Sequence, residues 1–67
     1  MTENHLEQAE RHVREGTAKV ARQHEIVEQL KAGGHDVEQA EALLSTLEEV
    51  LAGARDHLVR VRSRQSR

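Results

Sequence analysis

Leu30-Lys31-Ala32-Gly33-Gly34-His35-Asp36-Val37 is the stretch that decides the fold. Two adjacent glycines release the backbone from helical geometry, so a helix arriving from the N-terminal side stops there. Gly33 reads as the left-handed residue that ends this first helix, and Lys31 places positive charge at the helix's negative end. Asp36 followed by Gln39 can open a second helix as a capping box with an acidic cap. The connection Gly33-Gly34-His35 is three residues long. A link that short makes its two flanking helices antiparallel neighbours.

The sequence on either side supplies those helices. Upstream, Leu6, Ala9, Val13, Gly16, Val20, Gln23, Val27 and Leu30 recur at alternating spacings of three and four. Downstream, Val37, Ala40, Leu44, Leu47, Leu51, Ala54, Leu58 and Val61 do the same. Both sets keep a heptad with its a and d positions on one seam, and strand-like alternation fits neither. Asn4 with Glu7 forms a capping box for the first helix, with Thr2 as a competing start. Glu7-Gln8-Ala9-Glu10 recurs as Glu38-Gln39-Ala40-Glu41 at equivalent heptad positions. The expectation is one all-α domain over residues 1–67. Helix one covers about 4–32, the turn 33–35, helix two about 36–62, and a basic tail 60–67.

Folding at the glycine pair sets seam positions against each other when their numbers sum to about 67. The layers are Leu6/Val61, Ala9/Leu58, Val13/Ala54, Gly16/Leu51, Val20/Leu47, Gln23/Leu44, Val27/Ala40 and Leu30/Val37. Four of these eight oppose a small residue to a larger one, the complementarity that avoids voids and overlaps. Gln23 is the polar exception. It is either partly exposed or satisfied locally, or it pairs with its mate in a second copy and fixes register.

The columns beside the seam differ. On the e side, Glu3 and Glu10 approach Arg62 and Arg55, and His24 and Lys31 approach Glu41 and Glu48. That is a solvated edge of complementary charge. On the g side stand Ile26, Leu43 and Val50, continued by Lys19, His12 and His57. A lone hairpin would leave those apolar side chains in water, and burying each is worth about 1.5–3 kcal/mol. The g side is therefore expected to face a second hairpin, giving a homodimeric four-helix bundle.

Composition points the same way. Sixty-seven residues hide too little apolar surface to hold two helices together unaided. There is no cysteine for disulfides or thiolate metal sites, and no Phe, Tyr or Trp to enlarge a core. Oligomerisation is the remedy left. No apolar run is long enough to span a membrane, and Met1-Thr2-Glu3-Asn4 does not resemble a signal peptide, so the expected address is the cytoplasm.

Chemistry is sparse. Five histidines invite a metal, yet no two lie three or four residues apart on one helix, so neither metal nor other cofactor is expected. His12 and His57 fall near each other across the hairpin, and protonating them would loosen the dimer. No phosphate loop, zinc-protease motif or cysteine nucleophile occurs, and the serines and threonines lack a base-and-orienter set, so no enzyme is expected. Residues 1–54 carry five Lys/Arg against eleven Asp/Glu, whereas residues 55–67 carry five Arg against one Asp. Arg60, Arg62, Arg64 and Arg67 could therefore meet phosphates, or could serve only as favourable charge at a helix C-terminus.

In its heptads and short turn the chain resembles the Rop family, helical hairpins of similar length that dimerise into an antiparallel four-helix bundle and bind RNA hairpin pairs. That family uses basic and polar residues and a phenylalanine of helix one for RNA. Here the outward positions include Glu7, Glu25 and Glu28 beside Arg11, Arg14 and Arg22, with no Phe, so no binding residue carries over. In wording, His5-Leu6-Glu7-Gln8-Ala9-Glu10-Arg11-His12-Val13, Ala21-Arg22-Gln23-His24-Glu25-Ile26-Val27, Gly34-His35-Asp36 and Ala42-Leu43-Leu44-Ser45-Thr46-Leu47-Glu48 resemble a group of small bacterial proteins of uncharacterised role. The functional expectation is a non-enzymatic homodimer acting through protein contacts with a partner the residues do not specify. The alternative is a Rop-like nucleic-acid binder using the arginine tail.

Overall fold

The computed structural model describes residues 4–65, and its two helices form a hairpin: α1, His5–Ala32, and α2, Glu38–Gln65. Asn4 is the first cap. Its backbone is extended, and its Oδ1 accepts the Glu7 N–H at 2.8 Å, satisfying one of the donors that a helix start leaves open. Glu7 also puts a carboxylate at the positive end of α1. Thr2, the competing start, lies outside the described residues.

The turn corrects one expectation. Gly33 is right-handed, with φ −84° and ψ −1°, and Gly34 is the left-handed residue at φ 72°. The Gly33 N–H still reaches Gln29 O in helical fashion at 3.1 Å, so the reversal falls one residue later. Gly34 N–H then donates to Lys31 O at 3.1 Å and His35 N–H to Leu30 O at 2.9 Å. This pair of bonds is a Schellman motif, which occupies carbonyls that the helix end would otherwise orphan.

Helix two also departs from its expected bounds of 36–62. Asp36 Oδ1 accepts the N–H of Glu38, two residues on, at 3.0 Å, and not that of Gln39. The Val37 carbonyl accepts the N–H of Glu41 at 2.8 Å, so α2 begins after Val37. Val37 is partly buried as a seam residue while Asp36 is exposed, which places the aspartate just outside the helix. At the other end α2 runs to Gln65, with Arg62 and Arg64 in its last turn favouring the negative helix terminus. Much of the basic tail is thus helix.

All sixteen seam residues are buried or partly buried, and among the described residues only Glu10 and Ile26 share that status outside the seam. The register is the one in which paired numbers sum to 67. Ala9, Leu58 and Val61 form a buried cluster with Leu6 and Val13 packed against it. A Cβ built on Gly16 would stand 3.1 Å from Leu51 Cδ1, so the missing side chain lets α2 come close. On the e side Arg62 meets Glu10 at 3.7 Å and Lys31 meets Glu41 at 3.8 Å. Both pairs are open to solvent, with Glu10 partly covered, and contribute less than about 1 kcal/mol each.

Gln23 is 8% exposed and donates its Nε2–H to Ala40 O at 2.9 Å. The bond crosses the seam, so this side chain ties α1 to the first turn of α2 within one hairpin, where sequence alone left a local bond or a mate in a second copy. Among the described residues no buried side-chain nitrogen or oxygen lacks a partner.

The core is one layer thick. Six described residues are buried, and none of the large side chains is fully enclosed. The molecule measures 53 × 23 × 13 Å with a radius of gyration of 15.4 Å, against roughly 11 Å for a compact chain of this length. It exposes 5407 Å², whereas a compact monomer of 7.6 kDa would expose about 4,300 Å². No described helix is long and apolar enough to cross a membrane.

Gly34→Ala forces a Cβ into left-handed backbone and should lower the unfolding free energy by about 1–2 kcal/mol. Gly33→Ala crowds the ring of His35, at 2.8 Å from its Cδ2, which can swing away, and meets Gln29 O at an ordinary 3.6 Å; its effect should stay within about 0.5 kcal/mol. Urea titrations of both variants check the contrast, which reverses if Gly33 is the strained position. Gln23→Ala removes the cross-seam bond and should cost about 1–3 kcal/mol in the same titration.

Candidate functional site

The hairpin has two unlike sides because its e and g columns differ. The e side is bridged by the Arg62–Glu10 and Lys31–Glu41 pairs. On the g side, α1 contributes His12, Lys19 and Ile26, and α2 contributes Leu43, Val50 and His57. Leu43 is 49% exposed and Val50 63%, while His12, Lys19 and His57 are also exposed. Ile26 differs from the expectation of a side chain left in water. It is partly covered within its own hairpin, beside the buried Val27.

A groove of about 220 Å³ runs along this side, lined by His12, Glu15, Gly16, Lys19, Leu47, Val50, Leu51 and Ala54. Its origin is local. Gly16 and Ala54 carry little or no side chain, so the surface sinks between the two helices, and Leu47 and Leu51 supply apolar walls. Of these residues, the heptad pattern predicts His12, Lys19 and Val50 for this face. It assigns Gly16, Leu47, Leu51 and Ala54 to the seam alone and gives Glu15 no part in the groove. The signal that would have found them is a small residue at a d position of each helix in neighbouring layers, Gly16 opposite Leu51 and Ala54 opposite Val13. Arg11 holds Glu15 at 3.6 Å on the groove's outer edge.

Such a groove can take apolar side chains of a protein partner. Two described threonine hydroxyls bond back onto their own helices. Thr17 donates to Val13 O at 2.7 Å and Thr46 to Ala42 O at 3.1 Å, each one helical turn back. Among the described residues no group of three or more His, Cys, Asp or Glu side chains is gathered to hold a metal.

The arginine tail does not converge with the groove. Arg60 pairs with Asp56 at 3.3 Å and Arg62 with Glu10, so two of its cations already face carboxylates. Arg64 is exposed on the last turn of α2, and Arg67 lies outside the described residues. Val59, 60% exposed, is an apolar side chain that reading the a, d and g columns passed over, because it stands alone at a b position.

No protein-family model, curated protein or solved structure matches this chain.

Proposed function

We propose that this chain is a non-enzymatic module that works by self-association, as a homodimeric four-helix bundle that presents its outer helical faces to a protein partner. The observation that carries this reading is the g side: exposed Leu43 and Val50 flank an apolar-walled groove on a hairpin whose other side is bridged by charge. Area supports it. The hairpin exposes roughly 1,100 Å² more than a compact monomer of its mass, and each partner in a standard interface covers about 800 Å². A second copy is the partner of matching length, since the g column runs most of the way along both helices. Once dimerised, the bundle would leave the mixed acidic and basic outer faces of α1 for further contacts.

The nucleic-acid alternative through Arg60, Arg62, Arg64 and Arg67 has less support, because Arg60 and Arg62 are already paired with carboxylates. No aromatic residue is present to stack on bases.

Sedimentation equilibrium at micromolar concentration tests the dimer. The expected mass is twice 7.6 kDa. Leu43→Glu and Val50→Glu should each give a monomer that has lost its cooperative melt, because the charge is driven into the shared face. Glu28→Ala, on the exposed outer face, should change mass and melting little. A cooperatively melting wild-type monomer would overturn the reading.

A further inference from the structure

The exposed g side has a direction. Ile26 and Leu43 stand nearest the turn, Lys19 and Val50 at mid-length, and His12 and His57 toward the open end. We infer that two hairpins pair with both turns at the same end, α1 of each against α2 of the other. This brings His12 and His57 of both copies together as a site for a divalent transition-metal ion such as zinc. The inference rests on the dimer proposed above and specifies its geometry and ligand.

Identical hairpins joined through one face by a two-fold axis have two choices. If the axis runs along the helices, residues at equal height meet. Ile26 of one copy then packs on Leu43 of the other, Val50 faces the gap at Gly16 beside the Lys19 stem, and His12 faces His57. If the axis runs across the helices, each helix meets its own counterpart reversed. Ile26 then faces His12, Leu43 faces His57, Lys19 opposes Lys19, and Gly16 falls opposite Arg22.

The first choice matches apolar to apolar and sets a knob over a hole; the second sets rings on aliphatic chains and ammonium on ammonium. The second gains one attraction, Asp36 with Arg64, but both are exposed, and an exposed pair contributes little.

The metal site follows from the same arrangement. Neutral imidazoles are good zinc ligands, and a closed zinc site takes four. One hairpin offers His12 and His57 there, and among the described residues no third ligand joins them, so the site is incomplete without the second copy. His12 lines the groove together with Gly16, Ala54 and Glu15, whose carboxylate Arg11 meets at 3.6 Å. The nearest cations of the column, Lys19 and Arg64, each lie seven residues from a histidine. That is about 10 Å along the axis, close to one Debye length at physiological salt, so their repulsion is largely screened.

The chain has no cysteine, so introduced thiols report without ambiguity. Lys19→Cys and Val50→Cys are prepared as separate chains, mixed, and oxidised without metal. The mixture should yield the crossed disulfide, and each chain alone little of its own. Homodisulfides from each chain alone, with no crossed product, overturn the arrangement. Zinc chloride at micromolar concentration should then raise the melting temperature of the wild-type dimer by about 5 °C or more. His12→Ala and His57→Ala should each abolish the rise, and His24→Ala, on the e side, should keep it. A dimer indifferent to zinc, or a rise that survives both substitutions, overturns the metal site and leaves the dimer standing. A mass of 7.6 kDa with and without zinc overturns both. A monomer that dimerises only on adding zinc supports the site and replaces the metal-free dimer.

Discussion

Close approach of two helices along a seam of small residues set against larger ones is the interaction on which the rest of this structure depends. Gly16 against Leu51 and Ala9 against Leu58 let the backbones come together without aromatic side chains to bridge a wider gap. The gain is contact between helices, and the limit is thickness. With a single layer between them, the helices enclose six of the described residues and leave the flanks of their own seam open to water. Van der Waals contact along a one-layer seam is extensive in length yet shallow in depth, so removing any one side chain exposes its neighbours directly.

The two flanks of the hairpin differ in kind. Charges of opposite sign across the e side define which residue of α1 lies beside which residue of α2, although each pair contributes little energy. The Gln23–Ala40 bond adds a buried register mark near the turn, where a slip by one heptad would strand a polar amide among apolar neighbours. The g side carries no comparable set of marks. Its exposed leucine and valine, and the hollow at Gly16, give it apolar area with shape, which is what recognition between helical faces uses.

Much of the fold was legible because a heptad is a geometric statement. A residue at an a or d position has one direction in which to point, and all sixteen such positions are at least partly buried. The turn was legible in kind and misplaced by one residue, since two adjacent glycines are equally able to take a left-handed backbone and only the last helical hydrogen bond chooses between them. The start of α2 was hidden for a related reason: Asp36 can cap at either of two spacings, and burial of Val37 decides which. The partner of Gln23 is a backbone carbonyl, and carbonyls leave no mark in a sequence. Of the candidate site, the rim was readable from its side chains. The hollow was not, because it is made by side chains that are absent or short in neighbouring layers of the two helices.

The equal length of the two helices, 28 residues each, has a practical consequence. The first and last described residues finish beside one another at one pole of a rod 53 Å long, and the glycine turn occupies the other. A dye, an affinity handle or a surface tether joined at either end therefore reports on the same pole. Immobilised by one terminus, the hairpin would stand with its turn outward and both long flanks accessible, a convenient orientation for measuring what binds along them.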